Sequence, residues 1–222
     1  MQYADVRPMI MLHDALRREL RLLPDLVRSV PEADPERGLI ISEHITFVSS
    51  ILYAHHHGED VVLWPILFER APEQIAASVH LMQDHHARIE ELGTQIAAAL
   101  PLWRGRTDPA DGKHLADLFD SLVDVLDEHL DGEEELILPV VAQHVTMAEW
   151  NQMGKTAGTS VDPALVPVAI GMLMYEGDPQ VVDMDMSRMP PDVRETMKSV
   201  ARQAYEAHCH RVHGALPART AR

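Results

Sequence analysis

A phrase of eleven residues occurs twice in the chain, and it restricts the fold more than any other feature of the sequence. The first copy runs from His55 to Pro65 and the second from His129 to Pro139, with His, Gly, Glu and Pro at the same offsets in both. In a helix, a histidine and a glutamate four residues apart lie on one face, about 6 Å apart along the axis. Each copy therefore predicts a helix that presents an imidazole and a carboxylate side by side.

Apolar residues recur at spacings of three and four along four long segments. This periodicity predicts amphipathic helices over approximately residues 6–30, 35–70, 72–100 and 111–145. The segments are joined by short connections that contain Pro or Gly, at residues 31–35, 70–72 and 101–112. Short connections make consecutive helices antiparallel neighbours, so the sequence predicts an all-α, up-down-up-down four-helix bundle.

After residue 145 the sequence becomes rich in Met and Pro and has no sharp motif. We therefore divide the chain into a bundle, residues 1–145, and a C-terminal helical extension, residues 146–222. Within the extension we expect an irregular linker at 154–163 and helices that begin near residues 147, 164, 179 and 191. This extension is expected to pack on the bundle or on a second subunit, as in a homodimer.

Bulk charge and composition exclude several function classes. With 19 basic against 35 acidic side chains the net charge is −16, which disfavours both nucleic acid and an anionic membrane surface. The longest apolar stretch, 164–175, is too short to span a bilayer, and the N-terminus lacks a signal-peptide pattern. A single cysteine, Cys209, fits a reducing compartment, so we expect a cytoplasmic protein.

A lone histidine on an apolar stripe precedes each copy of the phrase. His13 lies 42 residues before His55, and His86 lies 43 residues before His129, so a two-helix unit is used twice. A bundle built from two such units brings six donors to one centre: His13, His55, Glu59, His86, His129 and Glu133. Buried ionisable groups need partners or a metal, and mixed nitrogen and oxygen donors suit Fe, Mn or Zn. Two carboxylates can bridge two ions.

The combined pattern resembles the hemerythrin-like (HHE cation-binding) domain over approximately residues 5–145. The resemblance rests on the histidine in Leu12-His13-Asp14, on the two His/Glu phrases, and on the Asp84-His85-His86 stretch. It implies a four-helix bundle with a non-haem di-iron centre, in which four histidines are terminal ligands and Glu59 and Glu133 bridge two Fe ions that share an oxo or hydroxo group. Oxygen-carrying hemerythrins have one more histidine, at the position of Met82.

Counting ligands turns this departure into an expectation about function. Two six-coordinate irons with four histidines, two bridging carboxylates and a shared oxygen keep two positions open, whereas a fifth histidine would leave one. Two open positions favour reaction with peroxide or nitric oxide over reversible O2 binding, so catalase-like or NO-consuming activity is the first hypothesis. A non-catalytic O2 or redox sensor that acts through the C-terminal helices, and a protein that stores or donates iron, are the alternatives.

Several other histidines and acids have competing interpretations. His86 is preferred over His85 as the ligand because it keeps the repeat offset, and His56 and His57 are expected to turn away from the centre. Asp60 and Glu134 either orient ligands or are solvated.

His44 is interpreted as a hydrogen-bonded core histidine, with a place in an access path as the alternative. Cys209 and His213 lie four residues apart, which allows two metal ligands, but their terminal position favours an exposed helix end.

Overall fold

Four long helices form the bundle, and the computed structural model describes them within residues 2–71, 73–158 and 161–219. They are α1 (Arg7–Arg28), α2 (Pro35–Gly58), α4 (Ala76–Arg106) and α5 (Pro109–Gly132), with α3 (Trp64–Arg70) and α6 (Leu138–His144) continuing α2 and α5. Helix α1 packs against α2 and α5, and α4 packs against α2 and α5. Their apolar faces bury one core, which includes Leu20, Ile45 and Phe119. The predicted all-α bundle is confirmed.

Both copies of the repeated phrase contain a π-helical turn, which periodicity did not predict. The turns are Glu59–Leu63 and Glu133–Ile137, and each begins at the glutamate of the phrase. Pro65 and Pro139 cause them: proline lacks an N–H and its ring clashes with the carbonyl four residues earlier, so the helix widens in the preceding turn. Accordingly, the N–H of Trp64 bonds to the carbonyl of Glu59, five residues back.

The predicted connection at 101–112 is shorter in the structure. Helix α4 continues through Pro101 to Arg106, and only residues 107–108 separate it from α5. Burial of Trp103, 1% exposed, stabilises the additional turn against the cost of an internal proline. Thr107, in the left-handed region at φ 48°, ends α4, and the Asp108 side chain accepts hydrogen bonds from the first amides of α5.

The extension consists of α7 (Met147–Gly158), α8 (Val166–Glu176), α9 (Pro179–Asp185) and α10 (Pro191–His213), so α7 occupies part of the linker predicted at 154–163. Helix α10 packs along α8, and both contact the bundle. Met172, Tyr205 and Cys209 belong to the same buried core as the bundle residues, so Cys209 does not lie at an exposed helix end. The division at residues 145 and 146 stays a prediction.

Pro72 of the second predicted connection, and Thr159 and Ser160 of the predicted linker, lie outside the described residues. Over the described ranges, no single helix has both the length and the apolarity to cross a bilayer. One bent pair, Met147–Gly158 with Pro163–Tyr175, meets that test by length and composition alone.

Candidate metal centre

The six residues predicted to meet at the centre of the bundle do lie together there. Four of them are fully buried, and the other two, His55 and His86, are at most 6% exposed. The arrangement has approximate two-fold symmetry: His13 Nε2 lies 3.3 Å from a carboxylate oxygen of Glu133, and His86 Nε2 lies 3.3 Å from one of Glu59. Each lone histidine therefore faces the glutamate of one phrase.

The positions of the donor atoms suit coordination of a metal better than hydrogen bonding between the donors. Among the described residues, both carboxylate oxygens of Glu59 and of Glu133 are buried without a hydrogen-bond partner, and so are the Nε2 atoms of the surrounding histidines. Burial of a polar atom without a hydrogen bond lowers the stability of the fold by roughly 1–3 kcal/mol. Several such atoms converge at this centre. Metal bonds of about 2.0–2.2 Å would place neighbouring ligand atoms about 3–3.5 Å apart, close to the separations seen. The residues present thus fit metal ions.

Two overlapping groups of donors share His55 and Glu59. In each group one ligand atom per residue lies within 4.8 Å of all the others; the groups are His13, His55, Glu59 and Glu133, and His55, His56, Glu59 and His129. His86 completes the cluster through its contact with Glu59. Because one carboxylate belongs to both groups, the arrangement can hold two ions with Glu59 between them.

His56 is the residue that sequence reasoning placed wrongly. It is only 7% exposed, its ring stacks on that of His86 with centroids 4.1 Å apart, and it lies 5.0 Å from the ring of His129. The core-facing stripe of a bundle helix is 100° or more wide. The midline of this stripe on α2 passes between His55 and His56, so both imidazoles point inward although they differ by about 100° around the axis.

The acidic residue after each central glutamate holds a lone histidine. Glu134 accepts a hydrogen bond from His13 Nδ1 at 3.0 Å and another from Arg17 at 2.7 Å. Asp60 accepts hydrogen bonds from His86 Nδ1 and from the Trp64 indole, both at 2.8 Å. These contacts fix the ring orientations and leave Nε2 of each imidazole facing the centre. Of the two interpretations of Asp60 and Glu134, the structure supports orientation of the candidate ligands His13 and His86.

Charge within the cluster is compensated by protons when no metal is bound. Burial by itself lowers the pKa of His13, but the negative charge of Glu133 and the hydrogen bond to Glu134 outweigh it and raise the pKa to about 9. Burial opposes protonation of His86 too, yet Asp60 and Glu59 raise its pKa to about 9. Protonated imidazoles therefore occupy positions where a metal cation would compensate the same carboxylates.

For Glu59 and the other histidines of the cluster, burial is the main cause of the pKa shift. Burial, reinforced by the Glu133 carboxylate, raises the pKa of Glu59 to about 8. Burial and the neighbouring imidazoles hold the pKa well below its usual value for His55, His56 and His129. Neutral imidazoles are the form that ligates metal, so these three histidines are in the ligating form at neutral pH.

The neighbouring histidines lie farther from the centre. His85 is half-buried, with its ring 6.0 Å from that of His129, whereas the His86 ring lies 4.7 Å from it. His57 turns away as predicted and stacks on Tyr53 at 5.6 Å. His80 is exposed and contacts Gln83.

Comparison with known proteins agrees with this geometry. The family model described as the hemerythrin HHE cation-binding domain matches residues 5–141, more than half of the chain. The matched segment contains all six predicted ligands and His56. No curated protein and no solved structure matches the chain.

Proposed function

Because the chain belongs to the hemerythrin HHE cation-binding family, we propose that its bundle holds two iron ions and reacts with small oxidants. The observation that carries the proposal is the convergence of unpartnered carboxylate oxygens and imidazole nitrogens in the buried interior of the described residues. The domain and these His/Glu clusters indicate a metal-binding function. We propose in addition that the metal is iron, that an oxygen bridges the two ions, and that the centre reacts with small oxidants.

The ring contacts link all five imidazoles, and His55 lies 5.0 Å from both His13 and His56. We divide them into two sets by their shortest contacts. His13 and His55 lie 5.0 Å apart and form one set. The other set is His56, His86 and His129, whose ring centroids are 4.1 to 5.0 Å apart. We assign each set to one ion, with Glu59 and Glu133 between the ions. This assignment adds a fifth histidine, supplied by α2 at the centre where oxygen-carrying hemerythrins use a second histidine of the third helix.

The fifth histidine changes the expected number of open positions from two to one. Two six-coordinate irons with five histidines, two bridging carboxylates and one shared oxygen have a single position left. By this assignment the open position would be on the ion held by His13 and His55. When bound, such an iron pair supplies electrons to a small oxidant or binds it reversibly, so O2, nitric oxide and H2O2 are the candidate ligands.

A cavity of about 500 Å³ leads from the surface to the second set of imidazoles. Its walls include His56, His86 and Ile89, together with the stacked pair Tyr53 and His57. Small uncharged molecules can enter such a cavity, where by the assignment above they would meet the ion with three histidines before the ion with the open position. Anionic substrates would be repelled by a chain whose net charge is −16. This favours O2, NO and H2O2 over oxyanions.

Metal analysis with titration by nitric oxide tests the proposal. We expect two irons per chain, near-ultraviolet absorption from an oxygen bridge between them, and uptake of one NO per iron pair in the reduced protein. Glu59→Gln should lose most of the iron, while the exposed control His80→Ala should keep it. Colourless, zinc-filled protein from iron-replete cells would overturn the redox function, and two NO per pair would overturn the fifth histidine.

A second candidate, a sensor that acts through the extension, is favoured by the position of α7. Trp150 and Met153 of α7 belong to one buried cluster with Leu63 and Trp64, at the end of the first π-helical turn. A shift of Glu59 on change of metal state would therefore reach α7 within one turn. A sensor predicts that reduction or NO changes the protease sensitivity of residues 146–222 without steady turnover of peroxide, whereas an enzyme predicts turnover.

A further inference from the structure

A second cluster of histidines and a glutamate lies away from the bundle centre, where α10 of the extension packs on α1 and α2. Glu19 is 1% exposed, His44 is 1% exposed, and the His213 side chain, the last of α10, is 10% exposed. Glu19 is six residues after His13, or about 9 Å along α1, and His44 is eleven residues before His55, or about 16 Å along α2. The cluster is thus separate from the candidate iron centre.

Three donor atoms of this cluster converge without hydrogen bonds. Glu19 Oε2 lies 3.4 Å from His44 Nε2 and 3.8 Å from His213 Nε2, and all three atoms lie within 4.8 Å of one another. None of them has a hydrogen-bond partner in the described part of the chain. These separations exceed the 2.7–3.2 Å range of N–H···O bonds. They are close to the edge of a zinc tetrahedron, about 3.3 Å for bonds of 2.0–2.1 Å.

The atoms on the far side of each donor group are held in place. Glu19 Oε1 accepts hydrogen bonds from the Arg18 guanidinium at 2.7 Å and from the Tyr205 hydroxyl at 2.6 Å. His44 Nδ1 lies 3.0 Å from His208 Nε2, so His44 can donate there and keep the Nε2 lone pair free. Such outer hydrogen bonds select the tautomer and orient metal ligands.

The end of α10 is fixed as well. The Arg37 guanidinium of α2 donates to the backbone carbonyls of Arg211 and Val212, and Arg211 forms an ion pair with Glu43. Gly214, at φ 78°, then ends the helix directly after His213. The third donor is therefore presented at a defined place, on a side chain that is 10% exposed.

We propose that Glu19, His44 and His213 form a second, mononuclear site for a divalent transition metal, with Zn²⁺ as the fitting ion and water in the fourth position. Two imidazoles and one carboxylate around an open position are a common zinc and iron(II) donor set. The site would join the extension to the bundle through one ion. The guanidinium of Arg18 already compensates Glu19, so this site should bind more weakly than the iron centre and should release its ion first to a chelator.

Cobalt titration of the full-length, iron-loaded chain tests the site. We expect one additional Co²⁺ per chain, with the intense visible bands of a four-coordinate ion, and displacement of it by Zn²⁺. His213→Ala should lower the affinity for this ion at least tenfold, while His210→Ala, on the same helix but exposed and bonded to Gly214, should not change it. Iron content, measured in parallel, should stay the same in both variants.

Two outcomes would overturn the site: equal Co²⁺ binding by wild type and His213→Ala, or entry of Co²⁺ only where iron is displaced. Should His213→Ala fail to fold by circular dichroism, X-ray absorption on the wild type with one added Co²⁺ decides. Scattering from about two imidazoles at the cobalt supports the site, and scattering from oxygen ligands alone refutes it.

Discussion

Replacement of His56 tests the proposal that α2 supplies two metal ligands from adjacent positions. His56→Gln keeps a polar side chain of similar size but removes the imidazole that stacks on His86 at 4.1 Å. His57→Gln is the matched control, since His57 is adjacent in sequence, points away from the centre and stacks on Tyr53. The two variants differ only in which face of α2 loses an imidazole.

The expected magnitude follows from the burial and bonding of the two side chains. Removal of an outer hydrogen-bond partner of a ligand costs 10- to 100-fold in metal affinity, and removal of a ligand itself costs at least as much as the upper end of that range. His56→Gln should thus lower the affinity for one of the two ions by about 100-fold, or about 2.8 kcal/mol. His57→Gln, at a half-buried position outside the cluster, should change affinity less than about threefold, or about 0.7 kcal/mol.

Chelator competition on the metal-loaded proteins measures both affinities, and NO titration of the reduced proteins gives an independent reading. Loss of a ligand opens a position, so His56→Gln should take up two NO per iron pair where the wild type takes one. If His56→Gln retains both ions with wild-type affinity and takes up one NO, His56 only packs against the centre. In that event the five-histidine assignment is wrong.

Three further predictions concern the surroundings of the centre. Asp60→Ala should lower metal affinity 10- to 100-fold in the same chelator assay because His86 loses its orienting hydrogen bond; an unchanged affinity would contradict this role. In metal-free protein, Tm should fall by several degrees between pH 6.5 and 9, because the folded state binds protons on His13, His86 and Glu59 more tightly than the unfolded state. The contribution of the two histidines is fully present below pH 6.5 and that of Glu59 below pH 4.5, and both are lost as pH rises through 8 to 9. Metal-loaded protein should not show this fall, and a flat Tm in both forms would refute the assignment. Gly132→Ala should raise the free energy of unfolding in urea by up to about 1 kcal/mol, since the added Cβ contacts only the flexible end of Met82. In the control Gly58→Ala the added Cβ contacts the backbone of α7, so this variant should not be more stable than the wild type.

Local geometry explains why the fold and the six predicted donors could be read from the sequence. Two residues four apart in a helix share a face whatever the rest of the chain does, and a repeated unit places equivalent residues symmetrically. The start of α7 is also set by local sequence, because Thr146 and Glu149 exchange the hydrogen bonds of a capping box. The ligand roles of the six residues, however, stay predictions until metal is measured.

What the sequence did not reveal depends on contacts between distant elements. Helix α4 passes through Pro101 because Trp103 is buried against the bundle, and periodicity does not register such burial. His213 meets Glu19 and His44 only because α10 folds back over α1 and α2. The π-helical turns did have a local signal, since a proline at the same offset in both phrases removes the same backbone donor.

The position of His56 also had a signal, and it lies in the repeat itself. The residue at the equivalent offset of 74 in the second copy is Leu130, which is fully buried in the bundle core. An apolar residue at one copy of a repeated position indicates that the position faces inward in both. Two copies of the same scaffold thus place a leucine in one half and an imidazole in the other. In the proposed centre this single difference would give one ion three histidines and the other two, and so would make an otherwise symmetric centre asymmetric.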